Sequence, residues 1–537
     1  MKTVLPGQGF RFELDGRSLT IEDVVAFSRR SESVSCALSA EAVEKIRATR
    51  ALKRDLIGRE VPIYGVTTGF GDSAHRQISA SKTAHLQQNM LRFLGSGTGP
   101  ITSPDVTRAA MLLRANCLAR GNSGVSLELV ERLLFSLNND VLPLVPERGS
   151  CGASGDLVPL SYVGAALVGE VEVLHDGEVK DSKELLGELG LEPLELEAKE
   201  GLALTNGTSF MSAFAALAVW DAEELALVSD LCTAMASEAL LGNRGHFNAF
   251  IHEQKPHPGQ VESARVIRDL LAESELALDS EEIFAGDGLG GKEFLELARQ
   301  VQDKYSIRCA PHVNGALRDT LEWVRRWVEV EINASDDNPL FDATSGRVRS
   351  GGNFYGSHIT QAMDSLKIAV ANLCDLMDRQ LELVVDEKFN AGLTPNLIPF
   401  FDEDSPDAGL HHGFKGMQLC CSAMTAEALK LSNPASVFSR STEAHNQDKV
   451  SMGSIAARDA RSIIELAQNV AAIHLLAVCQ ALDLRGAQKA SPKTRAAHEL
   501  VRSRVPFLDG DRRMDTDIKE IVDLIRSGEL SKRTLPT

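Results

Sequence analysis

From about residue 199 onward, apolar positions recur at helical spacing over five long stretches: 208–241, 312–333, 360–386, 417–432 and 455–483. Several of these are longer than the usual globular helix of about 10–14 residues. Runs such as Phe210-Met-Ser-Ala-Phe-Ala-Ala-Leu-Ala-Val and Ala471-Ala-Ile-His-Leu-Leu-Ala-Val are apolar around most of their circumference, so such helices need neighbours on all sides. The pattern predicts a mainly α protein built on a long helix bundle, with enough spare apolar surface to predict a homo-oligomer. Residues 1 to 60 alternate the strand-like Phe10-Arg-Phe-Glu-Leu14 with helical patterns that begin after Ser31 and Ser39, both suitable N-caps. From Val61 to Gly155 the chain is broken by stretches rich in Gly, Ser and Thr (YGVTTGFGDS, GSGTGP, RGNSGV, ERGSCGASGD) around helical segments such as 106–118. Loops of that kind among helices are where sites are held. The segment 171–179 reads as a hairpin with Asp176-Gly177 as its turn, a surface excursion. Ser531-Lys-Arg-Thr534, polar and terminal, is expected to fray. Two parts follow from the change of character: a loop-rich part over 1–198 and a long-helix part over 199–537.

Charge and cysteine content remove several classes of function. With 75 acidic against 56 basic residues, the net charge of -19 repels nucleic acid and anionic membranes. The nine cysteines are scattered, without a CxxC pair or a Cys/His cluster at metal spacing, which predicts reduced thiols in a cytoplasmic protein and no metal site. No apolar leader or membrane-length apolar run is read from the sequence, so a soluble, intracellular chain is expected. Gly152-Ala-Ser154-Gly-Asp156 fails as a nucleophile elbow because Asp156 occupies the place of the second glycine. Gly286-Asp-Gly-Leu-Gly-Gly-Lys292 has the spacing of a phosphate loop, but Glu293 replaces the magnesium-holding hydroxyl, and a flexible acidic loop is expected there. The adjacent His411-His412 are poorly placed to share a metal.

The remaining signal is concentrated in Gly149-Ser-Cys-Gly-Ala153-Ser154-Gly155-Asp156-Leu-Val-Pro-Leu. Other stretches accompany it in order: Tyr64-Gly-Val-Thr-Thr-Gly-Phe-Gly, Lys199-Glu-Gly-Leu-Ala-Leu-Thr-Asn206-Gly-Thr, Gln302-Asp-Lys-Tyr305-Ser-Ile-Arg308-Cys, Asp337-Asn338-Pro, Gly352-Asn-Phe354 and Glu443-Ala-His-Asn-Gln447-Asp. Together they resemble the aromatic amino acid ammonia-lyases and aminomutases over about 61–487, in pattern most like a phenylalanine ammonia-lyase. The resemblance implies the helical fold of the ammonia-lyase (fumarase/aspartase-like) superfamily. It also implies a homotetramer whose active sites each draw on three subunits, and a small aromatic amino acid as substrate. Finally it implies an electrophile, the 4-methylidene-imidazol-5-one (MIO) ring, closed from Ala153, Ser154 and Gly155 without external cofactor or metal. Gly155 suits closure because a residue without Cβ lets its nitrogen approach a neighbouring carbonyl, and Ser154 supplies the leaving hydroxyl.

By the same resemblance Tyr64 is the base for the β-proton, its phenol to be lowered or ionised by nearby donors and positive charge. Arg308 is the fork for the substrate carboxylate. Asn206, Tyr305 and Gln447 surround the prosthetic ring and amine, Glu443 lies near the amine, and Phe354 forms an aromatic wall. Leu202 and Lys415 join the substrate-binding set. Asn338 is read equally as ring support or as a turn asparagine. Phe93-Leu94 matches the pair found in phenylalanine enzymes, where tyrosine enzymes carry His-Leu and histidine enzymes Ser-His. An apolar wall leaves a tyrosine hydroxyl without a partner, at a cost of about 1–3 kcal/mol. The expected reaction is L-phenylalanine to trans-cinnamate and ammonia. Cys151, His312 and Tyr355 depart from the family pattern, and a donor at His312 keeps tyrosine and ring-modified substrates open. A 2,3-aminomutase with the same prosthetic group, a histidine ammonia-lyase and an inactive helical scaffold are the other readings.

Overall fold

The computed structural model describes residues 2–5, 9–30, 34–286 and 288–534. The chain divides into two units, each assembled from separated stretches: Met1–Trp220 with Val324–Asp364 and Pro434–Arg461, and Asp221–Trp323 with Ser365–Asn433 and Ser462–Thr537. The architecture is mainly α. The five long patterns emerge as the helices Ser209–Ala239, Ala310–Glu331, Ser357–Val385, Lys415–Leu431 and Gly453–Arg485.

The first unit opens with a three-stranded sheet of Lys2–Leu5, Gly9–Leu14 and Val34–Leu38. The last of these runs parallel to Gly9–Leu14 in a register that sets Phe10 opposite Val34. The helix expected after Ser31 is therefore a strand, because Val34-Ser-Cys-Ala-Leu completes the ladder of a neighbour far stronger than its own local preference. Ser31 itself lies outside the described residues. The helix Ile21–Arg29, capped by the reciprocal Thr20 and Asp23 pair, lies between the two strands in sequence. Ser39 caps Ala40–Gly58 as expected, accepting from the Ala42 amide at 3.2 Å. The helix Pro104–Ala119 is buried at every residue from Val106 to Ala119 except Arg108. The hairpin forms from Glu172–His175 and Glu178–Asp181, with Asp176 and Gly177 at φ 50° and 80°. It is more than a surface excursion: Val173 is fully buried against Val141, Ala166 and Leu185.

One ionic cluster fastens the helix Ala40–Gly58 to the segment that leads into Glu200–Thr205. Glu197 accepts from Arg50, from Arg54 at 2.7 Å and from Lys53 at 3.2 Å, while the buried Lys53 also donates to the Ala198 carbonyl at 2.8 Å. Burial pushes the Glu197 carboxyl up, but the Arg50, Lys53 and Arg54 contacts outweigh it and hold the group down at about 2. Glu200, also buried, accepts from the Ser126 and Glu197 amides at 2.8 and 2.7 Å.

In the second unit a carboxylate is again an internal tie. Asp230 is buried and accepts from Ser263, Asn314 and Arg318 at 2.5, 2.6 and 2.5 Å. The terminal residues are helical to Thr534, and Ser531 donates to Glu224 at 2.9 Å, so the expected fraying does not include them. Gly453–Arg485 contains an 18-residue window of mean hydropathy 1.6, long and apolar enough by composition to cross a membrane; 78% of that window is buried, as in a core helix. No helix follows Lys292 before Tyr305 among the described residues, so the glycine-rich run lacks the helix N-terminus on which a phosphate loop depends. His411 stacks on Phe401, its ring accepting from the Asp511 amide. No group of three or more His, Cys, Asp or Glu is arranged to hold a metal among the described residues.

Glu197→Gln should destabilise the protein by about 1–3 kcal/mol, because it removes the carboxylate that hydrogen-bonds the buried Lys53 ammonium and leaves it with Glu200 alone as counter-charge. The Glu197 carboxyl is depressed in the folded state, so its contribution is complete above the ordinary value of 4.5 and is lost as pH falls towards about 2. Thermal unfolding of the two proteins at neutral pH and at about pH 3 checks this, the difference between them shrinking in acid.

Candidate active site

Ala153-Ser154-Gly155 sits in the loop between the strand Pro146–Arg148 and the helix Leu157–Leu167. Ser154 and Gly155 both have positive φ, 53° and 75°, a conformation that a serine adopts only under local constraint. The constraint is a backbone pairing with the segment after Glu200–Thr205. The Gly207 amide donates to the Ser154 carbonyl at 3.3 Å, and the Asp156 amide donates to the Gly207 carbonyl at 2.7 Å. A Cβ at 155 would collide with the Gly207 carbonyl oxygen, so only glycine fits. A turned-back loop ending in an unhindered glycine amide fits the donor and acceptor needed for ring closure. Ser154 Oγ accepts from Gln447 Nε2 at 2.9 Å.

Asp156, fully buried, ties this loop to two helices. It accepts from the Met211 amide at 2.7 Å, from Ser150 Oγ at 2.9 Å and from Ser454 Oγ. Burial raises its carboxyl to about 6 against the pull of these donors. Asn206 is placed by a second buried set. Arg114 donates to the Asn206 carbonyl at 2.7 Å and pairs with Asp336, while Asn206 Nδ2 lies 3.4 Å from Asp337 Oδ1. Asp337 is held by Lys199 at 2.6 Å, both side chains wholly buried, and burial lowers the Lys199 ammonium despite that partner.

These elements enclose a cavity of about 250 Å³ in the first unit. Its lining is apolar at Phe70, Met90, Phe93, Leu94, Leu157, Val158 and Leu202 and polar at Tyr64, Ser154, Asn206, Thr442, Glu443 and Gln447, with Tyr64 packed against the Met90, Leu94 and Leu202 cluster. Phe93 is 60% exposed, its ring centroid 6.5 Å from that of Phe70. Tyr64 Oη accepts from the Gly71 amide at 3.0 Å, and Glu443 Oε1 accepts from the Asp72 amide at 3.1 Å. Gly71 has φ 55°, and a Cβ there would meet the Glu443 carboxylate. Glu443 stands in a tight loop closed by Thr442 and Gln447 backbone bonds, with Glu443, Ala444 and His445 all at positive φ. Burial raises the Tyr64 phenol and Glu443 adds to it, with only the Gly71 amide opposing. The positive charge expected to lower it is absent, since no Lys, Arg or His lines the cavity among the described residues.

Of the residues singled out from sequence, Tyr64, Phe93, Leu94, Ala153, Ser154, Gly155, Leu202, Asn206, Glu443 and Gln447 converge on this cavity. Asn338 and Phe354 belong to the same unit but stay outside the lining; Asn338 Oδ1 accepts from the Gly351 amide at 2.8 Å, a turn-holding contact. Tyr305, Arg308 and Lys415 belong to the second unit. There Tyr305 is 73% exposed, and Arg308 lies over its ring at 4.6 Å while donating to the Asp303 carbonyl at 3.1 Å. His312, in the same unit, faces His252 with ring centroids 5.7 Å apart; burial, then the charge of His252, lowers it. Sequence reasoning missed Phe70, Met90, Leu157, Val158 and Thr442 as lining residues and Asp156, Arg114 and Asp336 as supports. Asp156 and Asp336 adjoin motifs already noted, whereas Arg114 sits in an ordinary helical run and gives no signal of its own.

A family model described as aromatic amino acid lyase matches residues 19–503. The chain is 40% identical to the histidine ammonia-lyase of Myxococcus xanthus, over 97% of both chains, and 41% identical to that of Gloeobacter violaceus, over 96% of both. Its fold superposes on the crystal structure of a tyrosine aminomutase from Streptomyces globisporus with a TM-score of 0.92 at 37% identity, covering 98% of this chain and 99% of the other. The chain therefore belongs to the aromatic amino acid lyase family, carbon–nitrogen lyases whose electrophile is the MIO ring closed from the protein's own Ala-Ser-Gly tripeptide, with no external cofactor.

Proposed function

We propose that this chain deaminates L-phenylalanine to trans-cinnamate and ammonia. The observation that carries the reading is the composition of the cavity. Its apolar lining is formed by Phe70, Met90, Phe93, Leu94 and Leu202, and among the described residues of this chain no cationic or imidazole side chain lines the cavity to pair with a polar ring. A phenyl ring loses nothing there, whereas a buried hydroxyl or ring N–H left without a partner costs about 1–3 kcal/mol, about tenfold to a hundredfold in kcat/KM.

The MIO ring supplies an electrophile that no standard side chain offers and makes the amine a leaving group. The chain's own residues do the rest. Tyr64, inside the cavity and beside Glu443, takes the β-proton as phenolate, with the Gly71 amide donating to its oxygen at 3.0 Å. Asn206 and Gln447 orient the reacting end, and Glu443 faces the amine. The apolar wall excludes water from the ring. Tyr305, Arg308, Phe354 and Lys415, none of them in the lining, complete the sites of neighbouring copies in a homotetramer, with Arg308 gripping the carboxylate through its planar fork. The 73% exposure of Tyr305 in the single chain supports that placement. Asn338 acts by holding its turn.

Two other readings have a specific observation in their favour. The 40–41% identity to proteins named histidine ammonia-lyase favours histidine, and the likeness to a tyrosine aminomutase favours return of the amine to the β-carbon before product escapes. Purified protein assayed with L-phenylalanine, L-tyrosine and L-histidine should form the arylacrylate fastest from phenylalanine, with Ser154→Ala inactive on all three. Urocanate as the main product would overturn the phenylalanine reading, and a β-amino acid as the main product would favour the mutase.

Tyr64→Phe should lower kcat/KM by about 10²–10⁴-fold, the usual worth of a positioned general base. Because burial and Glu443 both favour the neutral phenol, the wild-type rate should rise with pH on the alkaline side of neutrality. A pH profile of kcat/KM that stays flat from about pH 7 to 10 would remove Tyr64 from the role of base.

A further inference from the structure

Below the tripeptide loop lies a carboxyl with no part in the scheme above. Glu331 ends the helix Ala310–Glu331, and its Oε1 is 2.6 Å from Thr208 Oγ1. The same hydroxyl is 2.8 Å from Asp336 Oδ2. A threonine hydroxyl carries one proton and can donate to one carboxylate only. Both short contacts are hydrogen bonds only if one of the two carboxyls is protonated and donates back to the hydroxyl's lone pair.

The surroundings decide which. Asp336 pairs with the Arg114 guanidinium and accepts from the Thr208 amide at 2.7 Å and from Cys117 Sγ at 2.8 Å, all contacts that favour its ionised form. The charges that bear on Glu331 are Asp336 and Asp156, both negative; the cations beyond them are Arg114, paired with Asp336, and Lys199, paired with Asp337. Burial, followed by those two carboxylates, raises Glu331 to about 7. Thr208 in turn follows Gly207, whose amide and carbonyl hold Ser154 and Asp156.

We propose that Glu331 carries a proton, donates it in a hydrogen bond to Thr208, and so acts as a positioning residue for the dehydrative closure of Ala153-Ser154-Gly155. In that closure the Gly155 nitrogen bonds to the Ala153 carbonyl carbon, whose oxygen leaves as one water with the amide hydrogens of Gly155 and Ser154 while that carbon becomes doubly bonded to the Ser154 nitrogen, and the Ser154 hydroxyl leaves with its α-hydrogen as a second water. Glu331 exchanges no atoms in these steps; it fixes the Thr208 hydroxyl and thereby the Gly207 backbone against which the loop is folded. An ionised Glu331 would set two carboxylates against one hydroxyl and pull this backbone out of register. The inference rests on the family's self-formed electrophile and not on the choice of phenylalanine.

The test reads maturation rather than turnover. Full-length wild type, Glu331→Gln, Glu331→Ala, Thr208→Ser and Thr208→Val are purified, and the peptide bearing residues 153–155 is scored by mass for the loss of two waters. Glu331→Gln keeps a donor to Thr208 and should stay within about twofold of the wild-type dehydrated fraction, whereas Glu331→Ala should fall about tenfold, as should Thr208→Val but not Thr208→Ser. Infrared spectra at about pH 6 should contain a protonated-carboxyl stretch that Glu331→Gln lacks. Full dehydration of Glu331→Ala or of Thr208→Val would overturn the proposal, as would equal loss in Glu331→Gln and Glu331→Ala. If Glu331→Ala does not fold, the two Thr208 variants and the infrared band decide it.

Discussion

The rest of the site depends on one close approach, the pairing of the Ser154–Asp156 backbone with Gly207. It requires two residues without side chains facing each other: a Cβ at 155 would enter the Gly207 carbonyl, and a Cβ at 207 would enter Arg114 and Asp336. Two loops that would otherwise be independent are thereby made into one object. Ser154 then stays at φ 53°, a conformation that costs free energy in isolation and persists because the surroundings over-determine it.

What over-determines it is a layer of buried charge. Asp156 fixes one loop to the helices Ser209–Ala239 and Gly453–Arg485 through the Met211 amide and Ser454. Arg114 with Asp336, and Lys199 with Asp337, fix the other. Charges this deep are expensive to bury, and a well-packed apolar core would hold the helices together as well. Their value here is geometric. Directional hydrogen bonds set the tripeptide and Asn206 in one relation to each other, which dispersion contacts leave loose. The same burial explains the elevated Asp156 carboxyl and the depressed Lys199 ammonium.

Above this layer the cavity is divided by chemistry. The apolar lining comes from the helix Thr83–Leu94, the start of Leu157–Leu167, Phe70 and Leu202, while the polar lining comes from Tyr64, Ser154, Asn206 and the loop 442–447. In the proposed reading, the first set meets the substrate's ring and the second its reacting end. Within one family of strongly similar folds, members are named for histidine in one case and tyrosine in another, so the fold alone does not fix the substrate.

The long helices, the Ser39 cap and the Asp176-Gly177 turn were legible in the chain because each rests on local rules: apolar period, a hydroxyl before a helix, positive φ in a tight turn. The tripeptide and most of the polar set were legible as well, since ring closure and proton transfer demand particular residue types in short motifs. Three kinds of feature were decided only by the tertiary structure. Val34–Leu38 became a strand because a distant ladder offered its backbone partners, and no local pattern encodes a partner elsewhere in the chain. Arg114 reached the site because packing brought its helix there, although nothing in its own segment marks it, and Phe70 and Met90, close to marked residues, were selected as lining only by the way their segments pack. The ionisation of Tyr64, Asp156 and Glu331 follows from burial and from charges that lie far away in sequence, so an identical motif in another fold would titrate differently.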